Sequence, residues 1–522
     1  MMKKSILLIV SAFISASALA APKAKARPMP KTPMSSSAQM GLGQKLLSEA
    51  LTMVRNGQYD QAAVRLQSLA RRNDLEKERV QIKYILGVTL MELKLYQIAA
   101  FQFVDVIRKG DPKYTRQAIE KLIIAADELG DDTLLNYAIA KVSLQDFPEK
   151  YKDIIYYRLG EIKLKNGRAA EAAQSFSRVR PTSRYYDMAK FNQGLAYLEQ
   201  KDTTHALQIY QALYASRGRA PITDVNKVSA TLAIARTYYQ AGDFDSAIEW
   251  YRKVPRDTEA WHESLFELTW ADLRAAKFRS ALSNFQSLHS SYYEDFYMPE
   301  SLLLRSIVYL YICKYEEMDK VLDLYEKTYG PVRNSLAQFM RDNNDPVIYY
   351  NEIDKAASVR RGEKPKSVVR IPYSVARSIL DEGDVKRSLT YLRNLFNEKR
   401  RIDSNPILAR TSLAVYANKI LGNRAKNTRI SIGEMVKAHL LYVRTDLKDL
   451  YEQAGFIRYE MINGKKEALR KKIAGKQLPS QVDEDKNRNF YIQNGYEYWP
   501  FDGEYWLDEI GNYQYLGKQS CE

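Results

Sequence analysis

Cysteine and histidine are scarce in this chain of 522 residues, which carries two of the first and four of the second. The histidines at 205, 262, 289 and 439 are scattered, and His262-Glu263-Ser264 does not continue into the H-E-x-x-H spacing of a helical zinc site. The phosphate-cradling G-x-x-x-x-G-K-[ST] loop and the G-x-S-x-G nucleophile elbow are missing as well. An acidic run, Asp483-Glu484-Asp485, lacks the turn glycine and distal glutamate of a calcium loop. These absences remove the common catalytic and metal-binding constellations, so no enzyme, metal or cofactor is expected.

Long hydrophobic runs are equally scarce. The apolar stretch SILLIVSAFISASALA, preceded by Lys3 and Lys4, falls short of the roughly 20 residues that span a bilayer. It ends in the small-x-small pattern Ala18-Leu19-Ala20, which reads as a secretory signal at 1–20 cleaved after Ala20. No cysteine follows the cut, so the expected product is exported and periplasmic without a lipid anchor. Residues 21–40 hold Pro22, Pro28, Pro30 and Pro33 among lysines and an arginine. Proline donates no backbone hydrogen bond and like charges repel, so this stretch is expected to be an extended, disordered tether.

What is abundant is a repeated phrase. GQYDQAAVRL (57–66), GRAAEAAQSF (167–176), GDFDSAIEWY (242–251) and AKFRSALSNF (276–285) share a break, an alanine, and a large apolar residue four places on. The alanine recurs as Ala62, Ala99, Ala138, Ala172, Ala206, Ala247 and Ala281, with Met318 in an eighth unit, at steps of 34 to 41 residues. A small residue, Gly87, Gly160, Gly194 or Ala235, stands twelve places earlier. Antiparallel helices approach closely only over small side chains, so the small residue is expected to face the alanine while Phe103, Phe176, Tyr210, Tyr251 and Phe285 plug the next groove. The expected fold is all-α: about eight helix-turn-helix units over 41–330, divergent helical repeats over 331–404, and a long helical hairpin or coiled coil over 405–475. In this last part Leu440, Val443, Leu447, Leu450, Ala454, Ile457 and Met461 form a 3-4 seam, and Leu413, Tyr416 and Ile420 offer the matching stripe of a hairpin.

At the repeated residues the chain resembles the tetratricopeptide repeat (TPR) family. That resemblance implies a right-handed superhelix whose first helices line a partner-binding groove. The family's groove positions fall here on Tyr157, Glu161, Phe191, Leu198, Leu232, Arg236, Tyr239, Phe266, Trp270 and Arg274. No unit supplies the paired Lys and Asn of a carboxylate clamp, so a hydrophobic helix or extended segment is the expected ligand.

The end of the chain is different in kind. IQNGYEYWPFDGEYWLDEIGNYQYLG has turn signals at Asn494-Gly495, Asp502-Gly503 and Gly511-Asn512 between aromatic runs, which predicts a small β-meander in a tail spanning 476–522. A helical solenoid leaves an open apolar end, and Trp499, Phe501 and Trp506 are expected to anchor the tail over it. In an oxidising compartment Cys313 and Cys521 can pair, and free thiols are the alternative. The net charge of +16 gathers in the tether and in runs such as NGKKEALRKKIAGK, which for an exported chain favours an anionic membrane surface, peptidoglycan or an acidic protein over nucleic acid, with a merely solvated helix face as the plainer reading. The block YWPFDGEYWLDEIGNYQY, ending in cysteine after a repeat array, also resembles the periplasmic repeat proteins of the adventurous gliding motility machinery of deltaproteobacteria. The resemblance implies a scaffold in a multiprotein envelope complex. The alternative is a cell-wall binder whose Trp499 and Trp506 stack on sugars.

Overall fold

Alanine pairs and recurrent breaks make two-helix units, and such units follow one another along most of the chain. The computed structural model describes residues 36–142, 147, 149–363, 368–474, 492–495, 504–517 and 521. The signal segment expected at 1–20 and positions 21–35 of the tether lie outside the described residues. Positions 36–40 are already helical, because the last proline is behind them at Pro33.

Among the described residues eight helix pairs run in order: α1 (Ser36–Arg55) with α2 (Tyr59–Leu69), α3 (Arg79–Glu92) with α4 (Tyr96–Lys109), α5 (Pro112–Leu129) with α6 (Thr133–Lys141), α7 (Lys152–Lys165) with α8 (Ala169–Ser177), α9 (Tyr186–Glu199) with α10 (Thr203–Ser216), α11 (Val225–Ala241) with α12 (Phe244–Tyr251), α13 (Trp261–Arg274) with α14 (Phe278–Leu288), and α15 (Pro299–Tyr311) with α16 (Tyr315–Asp342). Every slot residue from Ala62 to Met318 is 0 % exposed. The small residue of the first helix meets the aromatic plug rather than the alanine. A methyl built on Gly87, Gly160 or Gly194 would come within 2.5 to 2.6 Å of the ring of Phe103, Phe176 or Tyr210. Five places before the slot the turn needs a left-handed residue. Gly57, Gly167 and Gly242 supply it freely, whereas Lys94, Lys201, Ala276 and Cys313 hold φ of 56–63° against the pressure of their Cβ.

The eighth pair overruns its expected end at 330. Helix α16 continues through Pro331 to Asp342 because Leu336, Phe339 and Met340 carry its buried stripe onward. Then follow α17 (Pro346–Arg360), α18 (Tyr373–Asp381), α19 (Gly383–Ser404) and α20 (Ser412–Ile473). The hairpin expected over 405–475 is instead this one helix of 62 residues, about 93 Å long at 1.5 Å per residue. Gly422-Asn423 looks like a break, but Leu413, Ala417, Leu421 and Ala425 bury one face across it and Ile432, Val436 and Leu440 continue in phase. The seam from Leu440 to Met461 packs on α15, α16 and α17 of the same chain, so it is not left open for a coiled-coil partner.

Helix α20 works as a strut. Near its start Gln102 of α4 donates to the Tyr416 hydroxyl at 3.3 Å, and Arg424 lies 5.1 Å from the centre of the Phe101 ring. Near its other end Tyr451 packs on Tyr325 of α16 at 5.0 Å, and Arg458 pairs with Asp319 and Asp323 at 3.2 and 2.8 Å. Helix α19 adds polar ties: Asn394 donates to the Leu129 carbonyl at 3.0 Å and Arg401 to the Lys94 carbonyl at 2.9 Å. The second repeat is thereby joined to the eighth.

The described part of the tail, 504–517 and 521, docks without forming a sheet. Among the described residues there is no strand, because the tail's backbone groups bond to side chains of the seventh repeat instead of to a neighbouring strand. The N–H groups of Gly511 and Tyr515 donate to Ser287 and Ser283 Oγ of α14 at 2.8 and 2.9 Å. Arg256 donates to the Asp508 and Ile510 carbonyls at 2.8 and 2.5 Å, and Arg279 to the Gly517 carbonyl at 2.6 Å. The plug is Ile510, 1 % exposed. Trp506, expected as an anchor, is 46 % exposed, while Trp499 and Phe501 lie outside the described residues. A disulfide joins Cys313 to Cys521, with the Cα atoms 5.1 Å apart.

Candidate partner-binding surface

The first helices of the sixth and seventh repeats, α11 and α13, stand side by side and present most of the groove residues expected from the sequence. Arg236 on α11 reaches both carboxylates of the next repeat, Glu267 at 2.7 Å and Glu263 at 2.9 Å on α13. Glu263 and Glu267 are one turn apart, so they meet the guanidinium from one face. Crowding by the surrounding walls works against the charge of Arg236, but hydrogen bonding and attraction from Glu267 and then Glu263 hold its pKa above the ordinary value. The same crowding raises the pKa of Glu263, although 60 % of its side chain is exposed.

Aromatic residues lie on the same two helices as this ion pair, Tyr239 on α11 and Phe266 and Trp270 on α13. Tyr239 meets Phe244 edge-on at 5.4 Å, and the guanidinium of Arg274 lies 5.1 Å from the centre of the same Phe244 ring. Phe266 and Trp270 are half-buried against the core. Trp270 hydrogen-bonds to Glu300 of α15, whose carboxyl is pushed up by desolvation and then by repulsion from Asp446 of the strut. The wall therefore extends from α11 through α13 and α15 to α20.

Two expected groove residues belong elsewhere. Tyr157 is 7 % exposed, stacked on Tyr185 at 5.6 Å and tilted against Phe176 at 6.0 Å, so it fills the seam between the fourth and fifth repeats. Phe191 packs on Tyr210 at 5.4 Å, and its carbonyl accepts from the Tyr210 hydroxyl at 3.3 Å. Tyr157 thus packs between two units and Phe191 within its own.

Glu263, Glu267, Glu300 and Asp446 were not singled out from the sequence. Only the i, i+4 glutamates of HESLFEL offered a signal, since Asp446 is distant in the chain. The histidines prove structural in the seventh and eighth repeats. His262 is sandwiched 4.4 Å from Tyr293 and 4.1 Å from Phe296, and burial, then Arg377, pushes its pKa down to about 3. His289 bonds through Nε2 to Ser301 at 2.9 Å and through Nδ1 to Arg305 at 3.2 Å. No group of three or more His, Cys, Asp or Glu among the described residues could hold a metal ion.

The chain carries tetratricopeptide repeats: one tetratricopeptide repeat family matches residues 47–115 and 157–221, and a second matches 229–254. Among solved structures, a tetratricopeptide repeat protein from Parabacteroides merdae is 14 % identical, with 51 % of this chain and 98 % of that one covered and a TM-score of 0.29. The apo form of RapI is 12 % identical over 70 % of this chain and 99 % of that one, with a TM-score of 0.35. No curated protein matches the sequence. The repeats, matched by family and buried in register, suggest a protein–protein interaction scaffold.

Proposed function

We propose that this chain is an exported, non-enzymatic scaffold that holds protein partners against the inner wall of α11, α13 and α15, within a gliding-motility or related envelope complex. The observation that carries the binding reading is the half-buried aromatic set Tyr239, Phe266 and Trp270 on α11 and α13, the two helices that the Arg236–Glu267 ion pair joins. Rings and guanidinium groups are the usual anchors of protein interfaces, and carboxylates beside them select partners bearing cationic side chains. Export is supported by the signal-like stretch ending at Ala20, and the envelope setting by the resemblance of YWPFDGEYWLDEIGNYQY.

The test is crosslinking in the envelope followed by affinity capture, with Tyr239→Ala and Trp270→Ala combined. Capture should fall while helicity is kept, and undiminished capture would remove the groove. The exposure of Trp506 favours a second reading, in which the tail stacks on cell-wall glycan. Co-sedimentation with purified peptidoglycan that is lost in Trp506→Ala would support it over the scaffold.

A further inference from the structure

The end of α20 carries two apolar lines. One, through Ala454, Ile457 and Met461, belongs to the seam packed within the chain. The other runs through Phe456, Tyr459, Ile462, Leu469 and Ile473, spaced by three, three, seven and four residues. At 3.6 residues per turn Tyr459, Ile462, Leu469 and Ile473 fall within about 80° of one another and Phe456 about 60° further round, forming a rail to the side of the seam and away from it. Its five side chains are 55–79 % exposed. Scattered surface hydrophobics need no explanation, but five along one side of a helix end do.

The charges beside the rail decide what fits it. Lys466 stands in the rail and Arg470 and Lys472 flank its end on either side, all exposed, with Lys471 on the opposite face and Glu467 paired to Arg470 at 2.7 Å. A second copy laid alongside in the same direction would bring these cations together. A surface of phosphate groups would neutralise them while the rail leaves water. No helix among the described residues is long and apolar enough to cross a membrane, so the seat would be interfacial.

We propose that the last turns of α20 lie on an anionic lipid bilayer surface, with the rail in the acyl boundary and the lysines at headgroup level. The residues involved lie outside the inner wall, so the proposal stands apart from the groove reading. The test is co-sedimentation of the full chain with vesicles of phosphatidylglycerol and of phosphatidylcholine. Binding is expected to phosphatidylglycerol alone and should be lost at about 0.5 M salt, where the Debye length is short.

Leu469→Glu with Ile473→Glu, and separately Lys466→Glu with Lys472→Glu, should each lower partitioning at least about tenfold. These exposed positions should leave the thermal melt unchanged. Phe456→Trp should show a blue-shifted emission on the anionic vesicles. Equal binding to both lipids, no binding to phosphatidylglycerol, or unaltered binding of both charge variants would overturn the proposal. So would a dimer in light scattering that Leu469→Glu with Ile473→Glu dissociates in the absence of vesicle binding, because the rail would then belong to a second copy.

Discussion

Two glycines in helices of this chain should respond to the same substitution with opposite signs. Alanine is favoured over glycine inside a helix by about 1 kcal/mol. At Gly422, on the exposed side of α20, an added methyl meets nothing within 4 Å, so Gly422→Ala should stabilise by about that amount. At Gly160 the methyl would stand 2.5 Å from Cε1 and 2.7 Å from Cδ1 and Cζ of Phe176. That ring is 0 % exposed and backed by Tyr157 at 6.0 Å, so it has little room to retreat. Overpacking of a tight core costs about 1 to 3 kcal/mol, so against the propensity gain of about 1 kcal/mol Gly160→Ala should be destabilised by up to about 2 kcal/mol. The assay is guanidinium unfolding followed by far-ultraviolet circular dichroism, with Phe176→Leu and the double variant completing a cycle. Because leucine vacates the space the methyl needs, the double variant should recover stability, with a coupling of about 1 to 2 kcal/mol. If Gly160→Ala proves as stabilising as Gly422→Ala, the close approach of glycine to ring is not what holds the repeats in register.

Two further outcomes are expected. Cys521→Ser should lower the melting temperature by the equivalent of about 2 to 4 kcal/mol, and reductant should reproduce the shift in the wild type but not in the variant. Stability should also depend on pH in two opposed ways. The depressed pKa of His262, about 3 against an ordinary 6.5, means the unfolded state binds the extra proton between those values. Stability should therefore fall as pH drops below 6.5, by about 1.4 kcal/mol per unit for this group. Glu398 is pushed up to about 8 by burial against an ordinary 4.5, so the unfolded state loses its proton first and stability should fall as pH rises from 4.5 to 8. Glu398→Gln should flatten the decline between pH 6.5 and 8 in urea titrations, and a steeper decline in the variant would mean that the ionised carboxylate is the better helix cap.

The repeats were legible because one constraint is written many times. An alanine that must vanish between two helices, as Ala172 and Ala206 do, leaves the same mark in every unit. The turn slot was only partly legible. Glycine announces it at Gly57 and Gly242, but Lys94, Lys201, Ala276 and Cys313 adopt the same left-handed backbone under tertiary pressure. Helix α20 was misread at Gly422-Asn423, where local break signals lose to a buried face that continues in phase. The tail's turn residues were visible, yet its partners Ser283, Ser287, Arg256 and Arg279 lie more than two hundred residues away and bear no local mark. The inner wall was half legible for the same reason: Tyr239 and Trp270 follow from repeat position, whereas Glu300 and Asp446 meet the site only through the superhelix and its strut.

In a simple solenoid each unit touches only its neighbours, and folding can spread from any point. Here Leu95 offers no side-chain cap to α4, and the amide of Gln97 in its first turn donates at 2.7 Å to Glu398, 301 residues onward. Tyr391 donates to the Gln97 side chain at 2.6 Å from the same late helix. A nascent chain thus makes its second repeat long before the residues that finish it, and loop closure over such a distance is slow. Until then the apolar flank awaiting α19 and α20 stays wet and adhesive, which makes the interval of synthesis the period of greatest risk of misassembly and the point at which a chaperone would matter most.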